Sequence, residues 1–358
     1  MDILSPFSFR NDVRAKNRVA LAPMTNLQSH ADGTLSDDEL NWLTRRAEGG
    51  FGIVMTCAAH VGKDGQGWAG ELGVFSDGLR PGLTKIAKNM HGYGALAFAQ
   101  IFHGGLRADA KLIGERPWSA SEAEDGPRAA TEDDIARVVR QFGDAAERCH
   151  AAGLDGVEIH GAHGYLLGQF LSTVENRRED SWGGSLENRA RLMREVTRVV
   201  RARVPSSFVV GVRISPEDFG QAKGLDLDEN VTLAKWLAED GADFIHLSLW
   251  RSEKNTHKRP AEHALPIFRK ALPGDVRLLV AGNIWTKAEA DHMLELGADC
   301  VALGRSAIAN PEWPKQAADK SWEPRRPPLT VAELQERGLS AAFANYMKHW
   351  KGFVAESS

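Results

Sequence analysis

One motif constrains this chain more than any other. An amphipathic helix ends at a glycine, and an apolar strand starts within a few residues. It occurs in "AAGLDGVEIHG" around Gly153, in "EDGADFIHLS" at Gly241 and in "ELGADCVALGR" at Gly297, with a looser form, "AEGGFGIVMT", at Gly49 and Gly50. Glycine is favoured just past a helix because it takes a left-handed backbone without strain. The strands that follow are almost continuously apolar, as a parallel sheet buried on both faces requires. Eight strands can be read, at 18–22, 51–58, 95–102, 156–160, 208–214, 243–248, 276–281 and 300–304, with helical patterns between them. Eight strand-then-helix units predict an α/β fold, a single (β/α)8 barrel domain over residues 1–358.

Several helix starts are legible. Ser36 to Glu39 and Thr286 to Glu289 both read as capping boxes, and Thr131 precedes three acidic residues suited to a helix N-terminus. A helix over 185–203 alternates arginine with apolar residues, as a half-buried outer helix does. The rival fold is an open doubly wound sheet with a dinucleotide fingerprint. The one lookalike, Gly92 to Ala97, follows a helix and precedes a strand, the wrong order for cradling a pyrophosphate. Long connections at 103–130, 161–184, 215–227 and 249–262 all follow strands, where a barrel carries its site. The segment 316–358 contains Pro324, Pro327 and Pro328, and is expected to form a helical extension packed on the barrel, with one helix from about Val331 to Trp350.

Composition narrows the partners. A net charge of −4 with 26% charged residues gives no electrostatic case for nucleic acid or an anionic membrane. The start, MDILSPFSFRNDVRAKNR, lacks a basic-then-apolar leader, and no apolar run approaches a membrane span. Cys57, Cys149 and Cys300 are too dispersed for an iron–sulfur or structural zinc site of their own, so a reduced cytoplasm is the expected setting.

Chemistry concentrates at the predicted strand ends. Strand seven closes with Gly282 and strand eight with Gly304, followed by Arg305. In barrels these two loops usually hold a phosphate on bare backbone N–H groups, and an arginine can pair with it bidentately. Arg213, in "VVGVRIS", and Gln100, in "AFAQIFHGG", are polar residues in apolar strands. Both need partners if buried. Arg213 either pairs with Glu158 on the adjacent strand or faces a planar polar ligand at the barrel mouth. His160 ends strand four in "GVEIHGAHGYLLGQFLS", and His163 and Tyr165 lie in the turn that follows. Two histidines so placed are open to three readings: a metal site completed by His103 or His246, a grip on a substrate oxygen, or plain packing.

Together these stretches resemble the old yellow enzymes, FMN-dependent ene-reductases on a (β/α)8 barrel, over roughly residues 3 to 315. "NRVALAPMT", "AQIFHGG", the histidine stretch above, "NRREDSWGGSLENRARL", "VGVRIS", "AGN" and "LGR" carry the resemblance. It implies that Pro23, Met24, Thr25 and Ala58 lie beside the flavin ring, Gln100 at its pyrimidine edge and Arg213 near N1 and O2. Gly282, Asn283, Gly304 and Arg305 would hold the phosphate. It also implies a ping-pong reaction. NADH or NADPH reduces bound FMN, and an alkene activated by a carbonyl or nitro group then takes its place. His160 and His163 would bind the activating oxygen, and Tyr165 would protonate the α-carbon.

Some residues depart from the family pattern. Cys57 stands where acidic or small residues are common and is expected to pack. Trp182 replaces a usual tyrosine, and Ala281 a frequent glycine. Trp68, Trp250 and the loop Arg251–Glu262 match no pattern. Two other functions remain open at this level: an FMN barrel dehydrogenase or demethylase, and a metal-dependent barrel hydrolase using His160, His163 and His246. An outer C-terminal helix could also pack on a second copy and give a homo-oligomer.

Overall fold

The computed structural model describes residues 2–356. Eight parallel strands close into a barrel: β1 (Val19–Leu21), β2 (Ile53–His60), β3 (Leu96–Phe102), β4 (Gly156–His160), β5 (Val209–Ile214), β6 (Phe244–Ser248), β7 (Arg277–Ala281) and β8 (Cys300–Leu303). The ring closes where β8 pairs with β1, Val301 opposite Val19. These are the eight strands expected from the apolar runs. Between and after them lie α1 (Asp37–Glu48), α2 (Arg80–Gly92), α3 (Glu132–Ala151), α4 (Leu186–Arg203), α5 (Leu227–Glu239), α6 (Ala264–Ala271), α7 (Lys287–Glu295) and α8 (Arg305–Ala309). No helix among the described residues is long and apolar enough to cross a membrane.

The caps follow local chemistry, with one difference. Thr286 and Glu289 cap α7 reciprocally, and Thr131 and Asp134 do the same for α3. At α1 only half of the expected box forms. Ser36 Oγ accepts from the Glu39 N–H at 3.1 Å. The Glu39 carboxylate does not reach back; it turns inward, where it accepts from Cys57 Sγ at 3.0 Å and Asn26 Nδ2 at 3.3 Å and meets Ser29 Oγ. A fully buried carboxylate takes buried donors before an exposed cap. Cys57 therefore packs away from the barrel axis, as expected, but with a specific partner.

Strand alternation divides the barrel interior into two levels. The lower level is apolar. Phe9, Phe98 and Phe244 pack against one another at 5.7–6.0 Å between ring centroids. Phe9 reaches them because a short hairpin, Phe7–Ser8 with Arg14–Ala15, brings the N-terminal segment there. Gly211 faces this cluster, where a Cβ would lie 2.1 Å from the Phe244 ring. The same inward positions further along the strands are Gln100, Glu158, His160, Arg213, His246 and Ser248, all buried. A register shift between Met55 and Ala58 places one extra residue on β2 against β3, so Met55 sits opposite Phe98 and Ala58 opposite Gln100.

The C-terminal extension is not one helix. It forms two short ones, Val331–Glu336 and Ala341–Tyr346, followed by a 3-10 turn at Met347–His349. Gly338, at φ +86°, breaks the first, and Ser340 caps the second. The segment packs on its own chain. Phe343 meets Trp42 edge-on at 4.9 Å, Arg46 donates to the Arg337 carbonyl at 2.7 Å, and the Ser340 N–H donates to Gln28 Oε1 at 2.9 Å.

Candidate functional site

The polar level of the barrel is one connected network. Gln100 Nε2 donates to Glu158 Oε1 at 2.7 Å, and Glu158 Oε2 lies 2.6 Å from His246 Nδ1. Burial alone would raise the Glu158 carboxyl, but His246, Arg213 and Gln100 outweigh it and hold the group below the usual carboxylate range. Arg213 does not pair directly with Glu158. Its guanidinium donates to Ser248 Oγ at 3.0 Å, and its buried Nε has no partner among the described residues. The register explains this: β4 pairs with β5 so that Glu158 lies opposite Gly211 and His160 opposite Arg213.

Ser248 links Arg213 to the turn after β4. Its Oγ is 2.6 Å from His163 Nε2. Accepting a bond from a guanidinium polarises the serine hydroxyl and makes it the better donor to that nitrogen. His163 then carries its hydrogen on Nδ1. The residue adopts φ +63° and donates its backbone N–H to Ser215 Oγ at 3.2 Å. Such backbone in a non-glycine residue is costly and persists where the surroundings impose it. The His160 ring lies 5.0 Å from that of His163, and its Nδ1 accepts the Ala162 N–H at 3.3 Å, leaving Nε2–H as its donor. Burial drives both imidazoles well below the ordinary histidine range, and the Arg213 charge reinforces this for each. Both are therefore neutral donors at neutral pH.

Tyr165 completes the cluster. Its ring is 5.1 Å from His160 and 4.6 Å, edge-on, from Phe102. Burial pushes its phenol upward, while the Arg107 charge pulls the other way. Arg107 lies over the Tyr165 ring at 4.3 Å and donates to the His163 carbonyl at 2.8 Å.

The opposite wall holds the residues expected around an anion. Arg305 donates to Asn283 Oδ1 at 2.8 Å, so the turns after β7 and β8 are tied together. Gly282 accepts from the Ser252 N–H at 2.8 Å, and a Cβ there would strike Leu249 and Ser252. Gly304 lies beside Met24, 3.4 Å from a Cβ position to the sulfur. Pro23, Met24 and Thr25 follow β1 directly, joined to β8 by the Ala22 N–H to the Leu303 carbonyl at 3.0 Å. The fold thus brings every expected site residue to one end of the barrel. The small Ala58 opposite Gln100, an unpartnered guanidinium donor, and a glycine corner beside Arg305 suit a planar polar ligand with an anionic tail. Among the described residues, no three of His, Cys, Asp and Glu converge as metal ligands would.

Two residues here escaped the sequence reading. Arg107 sits in a loop with no motif to mark it. Tyr346, on the C-terminal extension, brings its phenol to the Thr25 side chain and within the field of Arg107. It is one of three tyrosines in the chain, and Tyr165 is another. Scarcity was the only available signal.

Comparison with known proteins shows what the whole chain is similar to. The profile of the NADH:flavin oxidoreductase / NADH oxidase family matches residues 2–322. A probable NADH-dependent flavin oxidoreductase, YqiG, of Bacillus subtilis (strain 168) is 35% identical, covering 87% of this chain and 86% of its own. An NADPH dehydrogenase of Bacillus licheniformis is 33% identical, covering 88% of this chain and 94% of its own. Some longer relatives are matched over about a third of their length. Among solved structures, the old yellow enzyme homologue from Zymomonas mobilis superposes with a TM-score of 0.82 at 26% identity, covering 97% of this chain and 99% of the other.

Proposed function

The chain belongs to the old yellow enzyme family of FMN-dependent NAD(P)H oxidoreductases, and on that premise we propose that it reduces alkenes activated by a carbonyl or nitro group, in a ping-pong sequence. The carrying observation is the cluster of His160, His163 and Tyr165, with two neutral N–H donors and one protonated phenol within about one ring's breadth.

FMN, when bound, supplies the redox chemistry, accepting two electrons from NAD(P)H and returning them to the alkene. Pro23, Met24, Thr25 and Ala58 would border its ring, and Gln100 its pyrimidine edge. Arg213 would place its unpartnered Nε at the edge where negative charge collects. Gly282, Asn283, Gly304 and Arg305 would hold its phosphate.

The protein's own contribution is orientation and protons. His160 Nε2–H and His163 Nδ1–H bind the activating oxygen and draw electron density from the double bond. Their neutrality matters, because a neutral donor polarises the oxygen without giving its proton away. Arg213 and Ser248 fix His163 in the productive tautomer. Tyr165 gives its proton to the α-carbon, and Arg107 over its ring stabilises the phenolate left behind.

The test separates the two half-reactions. Purified protein should be yellow, be bleached by NADH or NADPH, and regain colour with cyclohexenone. Tyr165→Phe should slow the second step by about a hundredfold or more, as loss of a general acid does, and leave the first nearly unchanged. Equal losses in both half-reactions would remove the proton-donor role. Protein that takes up no FMN would end the reading altogether.

A further inference from the structure

Trp250 is 55% exposed, yet it stands beside the most buried chemistry in the molecule. It lies two residues after Ser248, and the loop it starts is anchored by the Leu249 N–H to the Ala281 carbonyl and the Ser252 N–H to the Gly282 carbonyl. Its ring packs on Phe219 at 4.4 Å with a 31° interplanar angle, and the Arg305 guanidinium lies 5.8 Å from its centroid. Phe219 is itself held. It exchanges backbone bonds with Ala222 at 2.9 and 2.8 Å, and the Gln221 carbonyl of that turn closes on Gly164, where a Cβ would lie 2.4 Å away. Gly164 is the neighbour of His163. Two loops that brace the histidine site thus also carry an open aromatic platform at its rim. Lys223 and Lys254, on the same two loops, are exposed and form no ion pair among the described residues.

An exposed indole stacked on a half-buried phenyl ring, beside cations, suits a flat aromatic base attached to an anion. The reactants offer one such group. A small activated alkene has neither a base nor a phosphate; the nicotinamide dinucleotide has an adenine and a pyrophosphate. Its nicotinamide carboxamide carries an oxygen of the kind His160 and His163 bind. With that end at the histidines, the adenosine end must leave the barrel across the rim. We propose that Phe219 and Trp250 form the seat of the adenine ring of NAD(P)H, with the rim lysines facing its pyrophosphate. This rests on NAD(P)H as the electron donor.

The test compares two donors and three variants. Reduced nicotinamide mononucleotide has the reactive ring but lacks the adenosine. In the holoenzyme, Trp250→Ala should raise the KM for the full dinucleotide about tenfold, leaving that for the mononucleotide and for cyclohexenone unchanged. Trp250→Phe should restore most of the difference. ADP-ribose, measured by calorimetry, should bind the wild type and lose about tenfold in affinity with Trp250→Ala. Equal effects on both donors, a changed KM for cyclohexenone, or unaltered ADP-ribose binding would overturn the seat. So would the same donor discrimination being lost in Trp350→Ala, at the other exposed tryptophan, instead of in Trp250→Ala. A protein reduced by neither donor would overturn the oxidoreductase reading and the seat with it.

Discussion

His60 ends β2 with its ring stacked on Phe75 at 5.0 Å, its Nδ1 unpartnered among the described residues and 3.8 Å from Glu71 Oε1. Burial pushes its imidazole down to about 4. An unfolded histidine titrates near 6.5. The folded value lies below the unfolded one, so folding carries no charge penalty above about pH 6.5. Below that, the unfolded chain takes up a proton that the folded chain refuses, and stability falls until about pH 4. The full loss is about 3 kcal/mol for this one residue. His160 and His163 act in the same direction. Glu39 and Glu71 act oppositely, because burial raises their carboxyls and their cost appears as pH rises. Urea titrations at pH 7 and pH 5 should show wild-type stability falling more steeply than that of His60→Phe. Parallel slopes would mean that this ring is not held neutral.

Elements show why the site is where it is. Four strands deliver six inward polar groups only because the level beneath is sealed by Phe9, Phe98 and Phe244. Gly211 makes room for that seal. Gly211→Ala would drive a methyl into the Phe244 ring, and overpacking of this kind costs about 1–3 kcal/mol. The expected result is a lower melting temperature, with flavin affinity falling as well because Arg213 is two residues along the same strand. A variant as stable as the wild type would show that the ring can move aside. Legibility was uneven at this scale. The strands were readable because parallel burial makes them apolar end to end. The α1 cap departs from the predicted box because Glu39 has a better set of buried donors than the helix start offers. The apolar spacing of the extension continues through Gly338 and predicts one helix, and only the backbone there shows the break.

The whole molecule depends on the extension more than the barrel pattern suggests. Residues 338–350 fold back over α1 and bring Tyr346 near Thr25, so a segment far along the chain comes to lie beside the residues that follow β1. Phe343 is its anchor, fully buried against Trp42. Phe343→Ala should lose about 3 kcal/mol of packing. Trypsin should then cut at Arg337, Lys348 and Lys351 much faster, while the barrel keeps its far-ultraviolet dichroism. Unchanged resistance to cleavage would show that other contacts hold the extension. The sequence by itself determined the eight strands, the polar residues at their ends and the family, because apolar runs, glycine stops and motif spacing are local and survive without coordinates. Only the tertiary structure decided which of those polar groups meet. Ser248 between Arg213 and His163, Arg107 over Tyr165, and Tyr346 beside Thr25 join residues that lie 35 to 321 positions apart or in patternless loops. Nothing local records such a meeting, because strand register and loop packing, not residue spacing, create it.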